Sequence, residues 1–394
     1  MAIRAGRTLA ALLALAVPCL SLMAADAATI TATLAPIPAN APARTVPVTT
    51  LRLTGGIETG DADRLRAILE RIAAQGAKPE APFTTIELSS LGGSLTEGFK
   101  IGTLLRKHNV IAVVRKSDIC LSACALAFLG GNLHHGPSPD AHECNIEIGG
   151  KVAFHNFWLN RNGLREVTAT DPVASRLEGF NDARGGASLL IKYAGEMGLQ
   201  PNFVASIMGR PVEDFQYIET IEQFLSFHVC PLGLKRPSID LAAQAANICR
   251  HSTGWAEAAA PLQARAIPAA QAKQYLLERV QKNMQSVKAK GRLADQLASG
   301  AVMRVKDEID RLYEDLRAAG VALPEIVGPT FELGRNRAGI YETLCYVSLS
   351  PTEPDNYGIV VQGPKGLSQP PNLPPENCRR LFLFDTKEIV NPRP

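Results

Sequence analysis

The sequence has few aromatic residues, no strong excess of one charge and, after its first 27 residues, no long hydrophobic run. Aromatic side chains account for 6% of the 394 residues. The 41 Lys and Arg residues nearly balance 38 Asp and Glu residues, which argues against the basic surface of a nucleic-acid-binding protein. A transmembrane helix needs about 20 consecutive apolar residues, and no later segment supplies them. We therefore expect neither a nucleic-acid partner nor a membrane span beyond that point.

The first residues have the pattern of a secretory signal. Arg4 and Arg7 precede a Leu/Ala-rich stretch, and Ala25-Asp26-Ala27 is a small-x-small cleavage site. We expect residues 1–27 to be a signal peptide that directs export across the inner membrane, with the periplasm as the destination.

Cysteine is used sparingly. Of the eight cysteines, Cys19 lies in the leader, which leaves seven (8 − 1) in an oxidising compartment. In such a compartment we expect disulfides. Because seven is odd, at least one thiol is free or pairs with another chain. Along the chain, the pairs we favour are Cys230 with Cys249 and Cys345 with Cys378.

Hydrophobic patterning divides the remaining chain into several regions. Strands predicted at 49–54, 84–89 and 110–114 alternate with helices, which indicates parallel βαβ crossovers and an α/β fold. The predicted regions are a Pro/Ala-rich linker at 28–47, an α/β domain at 48–250, a helical hairpin at 255–325 and a small β-rich region at 326–394.

One serine has the surroundings of a nucleophile. Ser122 follows an apolar strand and precedes an apolar helical segment, with a Ser90-Leu91-Gly92-Gly93-Ser94 turn upstream and His155 ending a short strand downstream. A serine hydroxyl needs a base to remove its proton and two N–H groups to bind the oxyanion, for which the N–H groups of Gly93 and Ala123 are candidates. Taken singly, such a serine is more typical of a helix N-cap and the glycine pair of a turn.

The joint order of these elements resembles the proteolytic subunit of the Clp protease and the wider crotonase-like superfamily, which includes signal peptide peptidase A. The similarity spans about residues 45–235, and it is carried by Leu53-Thr54-Gly55, the stretch 87–94, Ser122-Ala123 and Phe154-His155. The chain departs from the Clp pattern at Leu91, which replaces a proline, and in an irregular insertion at 132–150 that we expect to form a mobile flap.

This resemblance implies a fold and a function. The fold would be a spiral core of repeated ββα and βα units, and the chain would be a homo-oligomeric serine peptidase that acts on peptides or proteins without a cofactor. Ser122 would be the nucleophile, His155 the base, and Gly93 and Ala123 the oxyanion donors. The alignment puts Ile218 where the orienting aspartate belongs, so we predict Glu219 beside it as the acid, with Glu222 as the alternative.

Other interpretations remain open at this stage. A catalytically inactive Clp-like binding or scaffold module would have the same fold. Acyl-CoA chemistry, common in the superfamily, is disfavoured because an exported protein would not meet coenzyme A. A zinc site has suitable residue types in His134, His135, His142 and Cys144.

The cysteines beside the serine allow two interpretations. Cys120 and Cys124 are four residues apart, a spacing that on a regular helix is too wide for a disulfide. We therefore expect buried thiols or bridges to Cys144, unless Cys120 lies off the helix.

Overall fold

A computed structural model describes residues 28–34, 49–75, 84–133, 143–156, 172–211, 213–254, 262, 264–282, 306–337, 341–363, 368–369 and 371–394. These residues form helices with parallel and antiparallel sheets, so the predicted α/β class is confirmed. The predicted signal peptide and the Pro-rich part of the predicted linker lie outside the described residues.

The main sheet is mostly parallel. Its strands in the described chain are β1 (Thr29–Leu34), β2 (Thr49–Thr54), β3 (Thr84–Ser89), β4 (Val110–Val114), β6 (Cys144–Glu147) and β9 (Val229–Leu232), in that spatial order. β1 is antiparallel to β2, and the other neighbours are parallel. Alternate residues of β2 and β3 are buried, as expected for strands with one face against a helical layer.

A second, small sheet carries the candidate catalytic residues. Its strands are β5 (Ile119–Leu121), β7 (Lys151–Phe154) and β8 (Gln216–Tyr217), with β5 parallel and β8 antiparallel to β7. The helices of this half are α1 (Asp61–Gln75), α2 (Leu95–Lys107), α3 (Ala123–Phe128), α4 (Pro172–Glu196), α5 (Pro201–Met208), α6 (Ile221–Ser226) and α7 (Leu241–Thr253).

The C-terminal half contains an antiparallel sheet and two described helices that pack on it. The strands, in order, are β10 (Ala264–Ile267), β11 (Thr330–Arg337), β12 (Tyr341–Leu349), β13 (Tyr357–Gln362) and β14 (Ser368–Gln369). The helices α8 (Ala272–Lys282) and α9 (Lys306–Ala318) share a hydrophobic cluster with this sheet, centred on Leu277, Tyr313 and Tyr346.

Three local predictions differ from the structure. Residues 29–34 of the predicted linker form β1, because the run Thr-Ile-Thr-Ala-Thr-Leu has a strand pattern and a partner in β2. Residues 264–267 of the predicted helical hairpin are β10, the edge strand of the C-terminal sheet. Residues 376–383 of the predicted β-rich region form a 3-10 helix, Glu376–Leu383. Residues 134–142 of the predicted flap lie outside the described residues, and β6 occupies its C-terminal part.

Disulfides link the two halves of the molecule, and the predicted pairing was wrong. Cys230 on β9 bonds to Cys378 in the 3-10 helix, and Cys249 on α7 bonds to Cys345 on β12. The favoured pairs had assumed that cysteines near in sequence pair, whereas packing brings α7 against the C-terminal sheet. The presence of disulfides is confirmed and indicates an oxidising environment.

The structure was also searched for membrane-spanning helices. Among the described residues, no helix is both long enough and apolar enough to cross a bilayer.

We predict that the Cys230–Cys378 bond stabilises the whole fold. Replacing both cysteines with alanine should lower the free energy of unfolding by about 2–5 kcal/mol, because the bond closes a loop of 148 residues. Urea unfolding under oxidising conditions measures this. Cys144→Ala, which removes a buried sulfur but no bond, is the control, and an unchanged midpoint in the double variant would contradict the prediction.

Candidate active site

Ser122 lies at a sharp turn between a strand and a helix. β5 ends at Leu121, α3 begins at Ala123, and Ser122 between them has φ 57° and ψ −123°. It is one of three non-glycine residues with a positive φ in the described ranges. Such a conformation costs about 1–3 kcal/mol and persists only where the surroundings hold it. The hydroxyl makes no capping hydrogen bond to α3, so Ser122 does not act as a side-chain N-cap.

Backbone hydrogen bonds hold this turn from both sides. The N–H of Ser122 donates to the carbonyl of Ala153 at 3.0 Å, and the carbonyl of Ser122 accepts from the N–H of Leu126 at 3.1 Å. In the parallel pairing of β5 with β7, Leu121 lies opposite Ala153. Adjacent strands are about 4.8 Å apart, so the backbone of Ser122 lies about that distance from the backbone that follows Ala153 on β7.

His155 follows β7 directly, and its ring packs against an aromatic side chain. Phe154 lies opposite Gln216 in the antiparallel β7–β8 pair, so Phe215 follows opposite His155. The imidazole and phenyl centroids are 4.5 Å apart, with 37° between the ring planes. The phenyl ring therefore limits the orientations that the imidazole can adopt.

Ser122 and His155 line the same pocket. The other side chains in its lining are apolar and come from α2, α3, β7, α4 and α5, namely Leu95, Leu126, Phe154, Leu190 and Ile207. The cavity volume is about 10 Å³, room for about one water molecule, so the lining can contact only a small apolar part of a ligand. The structure thus brings the predicted nucleophile and base together beside an apolar pocket.

Tyr193 fixes α4 against this pocket. Its hydroxyl donates to the carbonyl of Leu126 at 2.6 Å, and its ring packs on Phe99 with centroids 4.7 Å apart. Gly102 on α2 provides space for the Tyr193 hydroxyl, since a Cβ at position 102 would clash with it. Burial raises the pKa of Tyr193, so the phenol stays a neutral donor.

The predicted Gly-Gly turn, residues 90–94, lies against Ser122. The N–H of Leu121 donates to the carbonyl of Ser90 at 3.0 Å, which ties the turn to β5. Gly92 has φ 101°, and a Cβ added there would lie 2.7 Å from the Cβ of Ser122. Only glycine allows both this conformation and this approach.

Two backbone N–H groups beside Ser122 are the candidates for binding an oxyanion. The carbonyl of Gly92 accepts from Ile57, and the N–H of Ser94 donates to Ile57, each at 2.8 Å. Because the C=O and N–H of a trans peptide point in opposite directions, the N–H of Gly93 faces away from Ile57. The N–H of Ala123, in the first turn of α3, has no intrahelical acceptor. Both groups can donate to an oxyanion, which is the role predicted for them.

The structure does not bring Glu219 to His155. The β7–β8 register places Glu219 opposite Lys151, four residues (155 − 151) from His155, which is about 13 Å along a strand. Its carboxylate oxygens accept from the backbone N–H of Arg393 at 3.0 Å and from its Nε at 2.8 Å. The alternative acid, Glu222, is exposed in the first turn of α6. The structure therefore assigns Glu219 to anchoring the C-terminal segment.

The two cysteines beside Ser122 form a disulfide. Cys120 on β5 and Cys124 on α3 have their Cα atoms 5.1 Å apart, and both side chains are fully buried. The favoured expectation of free thiols or a bridge to Cys144 was therefore wrong. Its premise fails because Cys120 lies on a strand, where the distance limit of a helix does not apply.

The zinc site that the residue types left open has no support in the described residues. His134, His135 and His142 lie outside them. Cys144 is a buried free thiol that donates to the carbonyl of Phe128 at 3.2 Å. Burial raises its pKa to about 12, which disfavours the thiolate that a metal requires. The described ranges contain no group of three potential metal ligands among His, Cys, Asp and Glu.

Sequence reasoning missed the parts of the site that depend on pairing between distant segments. Phe215 and Tyr193 had no signal of their own, since each is an aromatic residue in an otherwise ordinary apolar pattern. The only available signal for the Cys120–Cys124 bond was the prediction of a strand-to-helix turn between the two cysteines.

We predict that Gly92→Ala displaces the nucleophile. A Cβ at this position meets Ser122 and forces a strained φ, so modification of Ser122 by a serine-directed fluorophosphonate should slow by at least about 100-fold. Gly60→Ala is the matched control, because Gly60 has nearly the same φ (99° against 101°) and no atom within 4 Å of its Cβ. Equal rates in both variants would contradict the prediction.

We predict that Glu219→Gln leaves the site almost unchanged. The Glu219 carboxylate holds a largely exposed Arg393, so its loss should lower stability by less than about 1 kcal/mol and fluorophosphonate modification by less than about threefold. Chemical denaturation and labelling rates measure the two effects. A fall in rate of about 10⁴, typical of losing an orienting carboxylate, would show that Glu219 does act on His155.

Comparisons with known proteins add no family to this picture. No protein-family model matches the chain. A comparison with curated proteins finds no significant match. The chemistry of the site is therefore argued from its own geometry.

Proposed function

We propose that the chain is a serine hydrolase of the Clp-like type that cleaves peptide bonds. Ser122 is the nucleophile and His155 is the general base. The N–H groups of Gly93 and Ala123 bind the oxyanion. Glu219, which the resemblance gave as the orienting acid, has no part in this proposal because it is bound to Arg393.

The reaction has two half-reactions. His155 removes the proton of the Ser122 hydroxyl as Oγ attacks the peptide carbonyl, and the negative charge moves to the carbonyl oxygen. Collapse of the tetrahedral intermediate releases the amine, which takes the proton from His155, and leaves an ester on Ser122. Water, deprotonated by His155, then attacks the ester and releases the acid, which restores both side chains.

The observation that carries this proposal is the backbone of Ser122. Residues other than glycine rarely adopt a positive φ. Ser122 adopts one without capping its helix, so its conformation needs another explanation. A strand-to-helix turn of this kind directs Oγ out of the backbone into the pocket. The same pocket contains His155, which is the group that a serine nucleophile requires.

The substrate would be a peptide or protein with a small apolar group near the scissile carbonyl, since the cavity beside Ser122 has room for only about one water molecule. This follows from the pocket, where five apolar side chains lie beside Ser122 and His155. Within the α/β class, we propose a crotonase-like spiral core. The parallel main sheet and the second small sheet that holds the site support it. Periplasmic location is likewise proposed, supported by the three disulfides.

The predicted homo-oligomer remains a proposal. Part of α4 supports it, since Leu177, Phe180 and Ile191 are about 60% exposed and lie along one face of this helix. Exposed apolar residues of this size at helical spacing favour contact with a second copy of the chain.

We predict that a fluorophosphonate labels the leader-free protein at Ser122. Ser122→Ala should abolish labelling, and His155→Ala should slow it by at least about 100-fold, because the base makes the hydroxyl nucleophilic. Peptide mapping by mass spectrometry locates the label, and circular dichroism verifies the fold of each variant.

Two substitutions outside the site are the controls. Ser350→Ala and His108→Ala remove the same side chains elsewhere and should label at the wild-type rate. If the folded wild-type protein is not labelled, the second candidate, a catalytically inactive binding module of the same fold, replaces the hydrolase. The observation that favours this second candidate is that Glu219, the predicted orienting acid, is bound to Arg393.

A further inference from the structure

We propose that the Cys120–Cys124 disulfide positions the nucleophile by holding Ser122 in its strained conformation. This inference rests on the proposed hydrolase function of Ser122. It gives the two cysteines the role of positioning residues, since neither sulfur is expected to touch the substrate.

The bond brackets the strained residue. Cys120 is the central residue of β5 and lies opposite Val152 on β7, while Cys124 is in the first turn of α3. Only Leu121, Ser122 and Ala123 lie between them. The disulfide thus closes a small ring around the turn, and Ser122 is the residue of that ring with a positive φ.

α3 needs such a restraint because it is short. It has six residues, whereas an isolated helix is marginal below about 12–15 residues. Its N-terminus has no side-chain cap, since the Ser122 hydroxyl does not bond to it. A covalent bond from Cys124 to β5 fixes the first turn of the helix without using that hydroxyl, which leaves the hydroxyl for chemistry.

The three disulfides differ in what they can stabilise. The Cys230–Cys378 and Cys249–Cys345 bonds span 148 and 96 residues and strongly restrict the unfolded chain. The Cys120–Cys124 bond spans four residues and restricts the unfolded chain least. Its effect is therefore local, on the geometry of the turn.

Burial makes this bond a permanent restraint. Cys120 and Cys124 have no exposed surface, so a dithiol in solution has no direct access to either sulfur in the folded protein. The turn is held in one state, in line with a positioning role.

The test compares Cys120→Ala/Cys124→Ala with wild type and with Cys249→Ala/Cys345→Ala. In the first variant the maximal rate of fluorophosphonate modification of Ser122 should fall at least about tenfold. Half-saturation by the probe should change less, because four of the five apolar lining residues lie outside α3. Its melting temperature should fall less than that of the control variant. The control, once folded, should label at the wild-type maximal rate.

A second measurement does not depend on activity. Hydrogen exchange of the peptide covering residues 119–128 should become at least about tenfold faster in Cys120→Ala/Cys124→Ala, with exchange elsewhere unchanged. If the wild type is not labelled, the hydrolase proposal fails, and unchanged exchange of this peptide separately shows that the disulfide does not hold the turn.

Two outcomes overturn the inference with the hydrolase intact. One is wild-type labelling kinetics in the folded double variant. The other is that neither this variant nor Cys120→Val/Cys124→Ala, which refills part of the lost volume, folds at all; the bond would then be required for folding rather than for positioning Ser122.

Discussion

The parallel pairing of β5 with β7 is the constraint on which the candidate site depends. These two short strands carry Ser122 and His155 at their ends, and the hydrogen bond from the Ser122 N–H to the Ala153 carbonyl fixes the register between them. A slip of one residue would turn His155 to the other face of the sheet. The buried Phe154, packed edge to face on Phe203 with centroids 5.1 Å apart, makes such a slip costly.

Within that register, Gly92 and the Cys120–Cys124 disulfide support the backbone conformation of Ser122. Gly92 lets the turn at 90–94 run at close contact with Ser122, which no other residue would permit. The disulfide between Cys120 and Cys124 joins the strand before the serine to the helix after it. The strain at Ser122 is therefore supported by backbone contact on one side and by a covalent bond on the other.

Much of this arrangement could be predicted from the sequence, and the reasons are local. Strands β2, β3 and β4 occur at the predicted residues because their apolar residues alternate or run continuously between helices. Ser122 and His155 were proposed because each follows a predicted strand, in an order that resembles the crotonase-like superfamily. Both inferences needed only short stretches of chain.

The predictions that failed needed the pairing of distant segments. Whether Glu219 could reach His155 depended on the β7–β8 register, in which a shift along the strand of four residues moves a side chain by about 13 Å. The disulfide pairing depended on how α7 packs against the C-terminal sheet. Neither the strand register nor the packing of α7 can be read from local periodicity. Hydrophobic patterning indicates which face of an element is buried, but not which partner covers it.

The packing of His155 on Phe215 bears on how a positive charge on the imidazole would be stabilised. In the proposed reaction His155 would become an imidazolium during attack. A cation near an aromatic ring is attracted by the ring quadrupole, which is worth about 0.5–1 kcal/mol at partly exposed positions. A carboxylate would stabilise the same cation more strongly. The ring therefore provides orientation first and electrostatic stabilisation second. The proposed nucleophile and the proposed base are both held by backbone, sulfur and ring contacts. In the proposed reaction, the reactivity of Ser122 would depend chiefly on how rigidly those contacts maintain its position.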